Sequence, residues 1–384
     1  MKTSQKSKLG HICTIRTGKL DSNAAVEGGK YPFFTCAQET FSIDKFAFDT
    51  EAVLLGGNNA NGIFPLKYYQ GKFNAYQRTY IIESKDRNKV LNKFVYFSLR
   101  PVLEYFKSAS IGAATQYLTK PVLDNLKITL PDIDTQRSII DIVYAYDDLI
   151  YTNRRRIQLL EESARLLFRE WFVYFRFPGY GKVKIVDGVP DGWEKEKINT
   201  LVSLLGGHAF KGTSYQQEGK YGIVTIKNVQ QGSFIPQCTD YLDDTPNAMR
   251  KHCFLSNGDI LMSLTGNVGR VCLVYGENFL LNQRVAKIES KNKLPKSYIY
   301  WMFDSPTMQK RIENLSYGSA QQNLSPIKLG EQKVILPPDP LLESFDEIFS
   351  LINSEIIQLL IQNQKLAQAR DLLLPRLMSG AIEV

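Results

Sequence analysis

The sequence predicts a mixed α/β (α+β) protein: two globular domains in tandem repeat, separated by two long helices that form an intrachain antiparallel coiled coil. Three observations predict this fold: a repeat at one constant offset, short β-rich runs broken by Gly and Asn turns, and two long apolar heptad patterns. The chain has 384 residues, 43% hydrophobic and 22% charged. That length and composition suit a folded protein of two or three domains and exclude a disordered chain.

The domain boundaries follow from the same patterns. We expect four consecutive segments: a first globular domain over 1–131, a first spacer helix over 132–176, a linker and second globular domain over 177–340, and a second spacer helix with the C-terminal tail over 341–384. No apolar run approaches the roughly 18 residues that span a bilayer, and the basic N-terminus lacks the apolar stretch of a secretory signal. The sequence therefore predicts a cytoplasmic protein.

The five cysteines are odd in number and scattered, which is typical of free thiols in a reducing compartment. They are Cys13, Cys36, Cys238, Cys253 and Cys272. The formal net charge of +8 is unevenly distributed: residues 1–131 carry +8, 132–192 carry −1, 193–340 carry +4 and 341–384 carry −3. Two basic blocks suit a polyanion partner, although such an excess of lysines is more often only a solvated surface.

The repeat is the strongest internal signal. Four short strings recur 206 residues later in the chain: Gln77-Arg78 as Gln283-Arg284, Glu83-Ser84 as Glu289-Ser290, Gly112-x-Ala114-x-Gln116-x-Leu118-Thr119 as Gly318-x-Ala320-x-Gln322-x-Leu324-Ser325, and Leu130-Pro131 as Leu336-Pro337. One constant offset over about 60 residues indicates a tandem duplication. Upstream of Gln77 the halves align only loosely, so they share a frame and differ inside it.

Each half begins with a globular part. Short β-rich runs, such as Ala52–Leu55 and Asp259–Met262, alternate with Gly and Asn turns. A helix-like stretch follows in each half, near Lys93–Phe106 and Lys296–Asn314. We therefore expect two α/β globular domains.

A long helix follows each globular part. Pro131 ends the first block, and Asp134 or Thr135 is expected to cap the helix after it. The first heptad seam reads Ile139, Val143, Tyr146, Ile150, Asn153, Ile157, Leu160, Ala164, Leu167, Trp171. The second, 206 residues later, reads Phe345, Phe349, Ile352, Ile356, Leu359, Asn363, Leu366, Arg370, Leu373, Leu377. Each helix is about 37–39 residues long, hence roughly 55–58 Å.

Two such seams in one chain most simply bury each other. In an antiparallel pairing with full overlap, Ile139 meets Leu377 and Asn153 meets Asn363, so the two polar interruptions share a layer and fix the register. A parallel pairing would set Asn153 against Leu359. The alternative is that each Asn is solvated or meets another subunit. The expected result is two domains at opposite ends of a rigid rod, an arrangement similar to dimeric DNA readers.

Further strings outside the repeat lead to a family resemblance. They are Leu167–Phe175 with Phe177–Gly179, then Val189–Trp193, Gly258–Leu261 and Leu374–Gly380. In this order around the duplication, with the two Gly-x-x-x-Gln-x-Leu strings, they resemble the specificity subunit of type I restriction-modification systems along essentially the whole chain. The interior of each globular domain departs from the family pattern, and the resemblance implies that the DNA target is read there.

The resemblance implies two target recognition domains, each reading one part of a split double-stranded DNA sequence across a non-specific spacer. It implies two modification subunits that bind this chain, carry S-adenosylmethionine and supply the methyltransferase chemistry, with restriction subunits as optional further partners. It implies no cofactor in this chain and no membrane. Because the two halves differ, we expect a bipartite and asymmetric target.

The residues themselves offer no catalytic site. His11, His208 and His252 are far apart in sequence, there is no C-x-x-C pair, and neither a phosphate-binding loop nor a nucleophile elbow occurs. An Asn-Pro-Pro-aromatic string, as used by amino-methyltransferases, is also missing. Pro337–Pro340 stands where a helix is about to start, and its expected role is a stiff stop before that helix. We therefore predict a non-catalytic subunit without a metal site.

The DNA-binding candidates are side chains that read base edges or hold phosphates, placed in Gly-, Asn- and Gln-rich loops. In the first domain they are Arg16, Lys19, Asn58, Asn59, Asn61, Gln77, Arg78 and Gln116. In the second they are Lys211, Lys227, Asn228, Asn267, Arg270, Gln283, Arg284, Gln321 and Gln322. Residues shared by both domains, such as Gln77 and Gln283, favour a frame or phosphate role, whereas unshared ones favour base reading.

Two alternatives stay open. A coiled-coil scaffold would present two modules to protein partners without reading DNA, and a free-standing nucleic-acid enzyme would need motifs that are missing here. Arg154–Arg156, near the middle of the first helix, fits a solvated face, an acidic partner surface or spacer phosphates.

Overall fold

The computed structural model describes residues 5–59, 63–109, 116–316 and 323–384. The chain forms two compact units, one of Met1–Ile150 with Lys365–Val384 and one of Tyr151–Gln364. The division falls inside both long helices, so each helix contributes one segment to each unit. No helix in the described part of the chain is long and apolar enough to cross a membrane.

Short strands and helices make up the globular part of the first unit. The strands are β1 Gln5–Lys8, β2 Cys13–Thr17, β3 Tyr31–Phe34, β4 Phe41–Ile43, β5 Phe48–Gly56, β6 Asn58–Asn59, β7 Leu66–Ala75, β8 Thr79–Ser84, β9 Gln116–Tyr117 and β10 Lys127–Leu130. The helices are α1 Leu9–Ile12, α2 Asn92–Leu99, α3 Leu103–Ala109 and α4 Lys120–Asn125, with 3₁₀ turns at Ser22–Ala24 and Arg100–Val102. The long helix α5, Ile133–Phe172, follows.

The core of the first unit is a six-stranded sheet in the order β2-β8-β5-β7-β3-β4. All neighbours are antiparallel except β3 and β7. Val53 and Leu55 of β5 are fully buried on one face with Ile82 of β8, while Leu54 and Ile81 are buried on the other. The alternation of strand side chains thus divides the apolar residues between two core layers.

The second unit carries more and shorter strands. They are β11 Ile185–Val186, β12 Val189–Pro190, β13 Glu194–Lys197, β14 Val202–Gly206, β15 Tyr221–Val224, β16 Val229–Gln230, β17 Ser233–Phe234, β18 Tyr241–Leu242, β19 Phe254–Leu255, β20 Ile260–Ser263, β21 Val271–Leu273, β22 Phe279–Leu281, β23 Val285–Ser290 and β24 Lys333–Leu336. The helices are α6 Ile198–Leu201, α7 Lys296–Asp304, α8 Pro306–Ser316, α9 Pro326–Gly330 and the long α10 Asp339–Ser379, with 3₁₀ turns at Tyr180–Lys182, Gly212–Ser214 and Lys251–Cys253. Two four-stranded sheets, β14-β23-β20-β21 and β18-β15-β22-β19, hold its core.

The two globular parts repeat the same pairings, which confirms the tandem duplication. Strand β1 pairs with β10 as β13 pairs with β24, and β2 pairs with β8 as β14 pairs with β23. The parallel register also recurs, because Phe34 faces Ala75 and Val224 faces Leu281. The β-rich runs predicted around residues 52–55 and 259–262 lie in β5 and β20.

The two helix-like stretches are less continuous than the sequence pattern suggests. The first is divided into α2, a 3₁₀ turn that contains Pro101, and α3. The second is divided between α7 and α8, because Ser305 is extended (ψ 139°) ahead of Pro306. A residue before proline disfavours the helical region, so the helix-like stretch near Lys296–Asn314 consists of two helices with a break at Ser305.

The long helices have 40 and 41 residues. The cap of α5 is Asp132 rather than Asp134 or Thr135: its carboxylate accepts a hydrogen bond from the Thr135 N–H at 2.8 Å. Asp339 and Pro340 lie within the first turn of α10. Proline is tolerated there because the first N–H groups of a helix have no intrahelical partner.

The heptad seams pack antiparallel. In the first unit Ile139 and Val143 of α5 share a buried cluster with Leu374 and Leu377 of α10. In the second unit Ile157 packs with Ile356 and Leu359, and the rings of Trp171 and Phe345 lie 5.9 Å apart. Residues near the start of α5 contact residues near the end of α10, and residues near the end of α5 contact residues near the start of α10. The predicted intrachain antiparallel coiled coil is confirmed.

The polar layer of the second unit contains the two predicted asparagines. Asn153 is 1% exposed, and its Nδ2 donates to Asn363 Oδ1 at 3.0 Å and to Gln362 Oε1 at 3.0 Å. The two side chains face each other, as the antiparallel register requires. Both amide hydrogens of the buried Asn153 therefore have acceptors.

Candidate nucleic-acid interface

A shared backbone frame carries the Gln-Arg turn in both globular domains. The Gln77 N–H donates to Leu20 O at 2.8 Å, and the Gln283 N–H donates to His208 O at 3.0 Å. The carbonyl of Arg78 accepts from the Gly57 N–H at 2.8 Å, and that of Arg284 accepts from the Leu264 N–H at 3.0 Å. All four turn side chains are exposed. The backbone of the turn thus makes the hydrogen bonds that both domains share. Its exposed side chains remain free to contact a ligand.

One glycine in each domain makes this close approach possible. A Cβ on Gly18 would lie 1.9 Å from Ala75 O, and one on Gly207 would lie 2.3 Å from Leu281 O. Real Cβ atoms do not come this close to a carbonyl oxygen, so only glycine fits either position. Lys19 follows Gly18 and is exposed. It has no equivalent after Gly207, because the bridges Leu20–Tyr76 and His208–Asn282 leave one residue fewer there.

Next to the turn, a second bridge recurs. Strand β6 pairs with β9 in the first domain, and Thr265 pairs with Asn323 in the second. Asn58 Oδ1 and Thr265 Oγ1 are buried and have no hydrogen-bond partner in the described part of the chain. Buried polar atoms without a partner are rare in native proteins, so this position is unusual in both domains.

The two arginine candidates of the first domain already contact neighbouring side chains. Arg16 forms an ion pair with Glu83 at 2.7 Å, and its guanidinium lies 4.9 Å from the ring centre of Phe48. The Arg78 guanidinium lies 4.9 Å from the ring centre of Tyr117. Both arginines remain exposed. These contacts hold the guanidinium groups at the surface in defined orientations.

Part of the predicted set cannot be placed. Asn61, Gln321 and Gln322 lie outside the described residues, and so do the side chains of Asn59 and Gln116. They stay predictions.

In the second domain, the structure brings three candidates together. Lys227, Gln283 and Arg284 line one open cleft of about 320 Å³, with the rings of Phe210 and Tyr215 in its wall. Lys211 is exposed nearby in sequence, one residue after Phe210. A cleft with cationic, amide and aromatic groups has the chemistry to contact phosphates and bases.

Hydrogen bonds from neighbouring side chains hold the Asn267–Arg270 loop in place. Ser263 Oγ donates to Asn267 O and accepts from the Arg270 N–H. Gln309 Nε2 donates to Gly269 O at 2.9 Å. The Arg270 guanidinium donates to Gln230 Oε1, and in the amide orientation that satisfies both groups Asn267 Oδ1 accepts from it at 2.9 Å. The loop is therefore ordered before any ligand binds.

Asn228 does not fit the set of DNA-binding candidates. Its side chain is 2% exposed. Its Oδ1 accepts from the Thr225 N–H at 2.9 Å, and its Nδ2 donates to Ile235 O at 2.9 Å and Gln237 O at 3.1 Å. The expectation of a DNA contact is corrected because this amide is fully used in closing a turn of the protein.

The family model for the type I restriction modification DNA specificity domain matches residues 1–162 and again residues 190–362. The chain belongs to that family. The two matches coincide with the two halves of the repeat.

Individual relatives agree with this assignment. The EcoDI specificity subunit of Escherichia coli is 36% identical over 172 residues, which cover 45% of this chain and 37% of that protein. The MjaVIII specificity subunit of Methanocaldococcus jannaschii is 25% identical over 349 residues, which cover 86% of this chain and 79% of that protein. The crystal structure of a type I S subunit from M. genitalium has a TM-score of 0.65 at 17% identity and covers 98% of this chain and 96% of that one. This last likeness shows the shared fold.

As a type I specificity subunit the chain is a non-catalytic component. All five cysteines are free, and burial raises the pKa of the Cys13 thiol to about 12 and that of Cys238 to about 12. Both thiols thus stay protonated at neutral pH and are poor nucleophiles. No cluster of His, Cys, Asp and Glu in the described ranges could hold a metal ion.

The specificity subunit also carries an ion pair that sequence reasoning missed. Arg165 of α5 donates to Asp304, at the end of α7, at 2.9 Å, and the Asp304 side chain is 2% exposed. Burial raises the pKa of Asp304, and Arg165 opposes that rise. Burial also raises the pKa of Glu161, which lies 3.6 Å from Arg165. The partners are 139 residues apart, and no motif links them.

The first unit has its own connection to the helices, with the charges reversed. Here Arg100 of the globular part lies 3.3 Å from Asp147 of α5. Arg370, the charged member of the second heptad seam, donates to the same carboxylate and is 15% exposed. This charged seam position is thus paired within the first unit.

Proposed function

We propose that this chain reads a bipartite, asymmetric double-stranded DNA sequence, with one half-target for each recognition domain, and directs methyltransferase subunits to it. The observation that carries the proposal is the repeated backbone frame. Equivalent hydrogen bonds hold the Gln-Arg turn and the bridge in both domains, while the residues beside them differ. A common frame with different side chains suits two related readers of unlike sequences.

The roles follow from the chemistry of the side chains. The exposed pairs Gln77-Arg78 and Gln283-Arg284 are common to both domains, so we assign them to phosphate contacts. The ordered Asn267 and Arg270 belong to the second domain alone, and Lys19 and Asn58 to the first, so we assign these to base contacts. Phosphate contacts set affinity, and base contacts set the target.

Partner subunits complete the proposed activity. We infer two modification subunits that carry S-adenosylmethionine and transfer its methyl group to the DNA, with restriction subunits as optional further members. The long helices fix how far apart the two half-targets are read. In this proposal, the chain chooses the site and another subunit acts on it.

The test is to map methylated sites in cells that carry this chain with its modification subunits. We expect a split motif with two unlike halves and a fixed number of unread base pairs. A continuous or palindromic motif would contradict the proposal. The purified chain alone, with DNA and labelled methyl donor, should transfer no methyl group.

Salt dependence separates DNA reading from a protein-only scaffold. If the assembled complex contacts phosphates, its DNA affinity falls steeply between low and moderate salt. A complex whose affinity for DNA is negligible at every salt concentration would favour the scaffold.

A further inference from the structure

The Arg165–Asp304 ion pair has a third member at the surface. Arg165 Nε donates to Asp304 Oδ2 at 2.9 Å, and Gln231 Nε2 donates to Asp304 Oδ1 at 2.5 Å. Each carboxylate oxygen therefore holds one partner. Because Asp304 is almost fully buried, the Gln231 side chain reaches inward from an exposed backbone position.

Gln231 lies in the turn of the β16–β17 hairpin. The Gly232 N–H donates to Val271 O at 2.8 Å, and the Val271 N–H donates back to Gln231 Oε1 at 3.4 Å. A Cβ on Gly232 would lie 2.9 Å from Arg165 Nη2, so the hairpin turn packs directly on this guanidinium. The ion pair thus holds the hairpin against both α5 and β21.

Gln230, the residue before Gln231, contacts the Asn267–Arg270 loop. Gln230 Oε1 accepts from the Arg270 guanidinium, and Arg270 immediately precedes β21. Gln230 and Gln231 are consecutive, so a shift of the turn moves the acceptor of Arg270. The chain of contacts runs from Arg165 and Asp304 through Gln231 and Gln230 to Arg270.

We propose that the Arg165–Asp304 pair is a positioning device that aims Arg270 at the base pairs of the second half-target. The inference rests on the proposed function and deepens it. Neither member contacts DNA: both act through the hairpin turn. At the 206-residue offset Asp304 corresponds to Ser98, whose hydroxyl donates to Phe94 O at 2.8 Å within α2. The device therefore acts on the second half-target only.

The experiment uses the full chain assembled with its modification subunits, after the wild-type target has been mapped. Methyl transfer is measured on duplexes with single base-pair changes in either half. For Asp304→Asn, Arg165→Met and Gln231→Ala we expect a higher KM and about tenfold weaker discrimination against changes in the second half. Discrimination in the first half should stay as in wild type.

Arg156→Met is the matched control. Arg156 lies on the same helix and pairs with Glu355 at 2.6 Å, but that pair is exposed and takes no part in the hairpin contacts described above. We expect its discrimination in both halves to match wild type.

The outcomes separate the two proposals. If the wild-type complex discriminates in neither half, the proposed function itself fails. If wild type discriminates but Gln231→Ala, an exposed substitution that leaves the core intact, keeps full second-half discrimination, the positioning role is overturned. Equal losses in both halves would also overturn it. Should Asp304→Asn prevent assembly, Gln231→Ala alone decides.

Discussion

The two recognition domains share a frame but differ in how their sheets are continued. Strands β5 and β7 of the first domain have 9 and 10 residues and join one six-stranded sheet. At the 206-residue offset, each corresponds to two short strands, β19 with β20 and β21 with β22. The breaks fall at Gly258, with φ +80°, and around Gly276, with φ +100°.

The breaks have a packing consequence. The left-handed backbone at Gly258 and Gly276 interrupts both strands, and the second domain has two four-stranded sheets in place of one large sheet. Tyr275 and Phe279, which flank the second break, join a buried cluster against which Ile357 and Ile361 of α10 pack. Duplication thus preserved the hydrogen bonds that hold the Gln-Arg turn, while the surrounding sheet was free to diverge. The frame, rather than the sheet, is therefore the unit that recurs within this chain.

The largest expected effect comes from shortening the helices that both domains share. Deleting residues 148–154 from α5 and the paired residues 362–368 from α10 removes one heptad from each, keeps the seam in phase and spares Ile357 and Ile361. The loss is about 10 Å of helix, equivalent to about three base pairs. Mapping of methylated sites should show both half-targets unchanged and the spacer shortened. Altered half-targets with the original spacer would contradict the account.

The next largest effect tests whether the two frames are equivalent. Gly18→Ala and Gly207→Ala each force a Cβ against a carbonyl and should each lower the free energy of unfolding by about 3 kcal/mol. Urea unfolding of the full chain measures this. Gly206→Ala is the matched control, because a Cβ there meets nothing within 4 Å. A large cost in only one domain would show that the frames are not equivalent.

A smaller effect distinguishes phosphate contacts from base contacts within the second domain. Arg270→Met should reduce discrimination at the second half-target about tenfold. Arg284→Met should weaken binding to all sequences and make the salt dependence shallower. Binding titrations at several salt concentrations measure both. Arg176→Met, at an exposed pair with Glu170, is the control. Loss of discrimination in Arg284→Met instead would reverse the assignments.

The smallest expected effect concerns the asparagine layer. Asn363→Leu removes one acceptor from the buried Asn153 and should cost about 1 kcal/mol. Asn153→Leu replaces the buried amide and leaves the more exposed Asn363 and Gln362 to water, so its free energy of unfolding should stay close to wild type. Urea unfolding of the two single variants checks the order. A larger loss for Asn153→Leu would be the contrary result.

Periodic features could be predicted from the sequence, and long-range polar contacts could not. The seam arithmetic placed Asn153 opposite Asn363 because a helix has one fixed period. The sequence pattern also marked a helix-like stretch near Lys296–Asn314 but not its break at Ser305, which the following Pro306 causes. Residue type alone suggested DNA contact for Asn228, whose burial depends on the turn that it closes. The Arg165–Asp304 pair carries no local signal, since tertiary packing alone brings its members together.

The central claim is that the two recognition domains share one backbone frame but read their half-targets independently. Its most direct test compares the methylated-site maps of wild type and of a chain with Asn267→Ala and Arg270→Met. Both substitutions lie in one loop of the second domain. The account predicts an unchanged first half-target and an unchanged spacer, with a relaxed or altered second half-target. A map in which both half-targets change, or in which neither does, would contradict it.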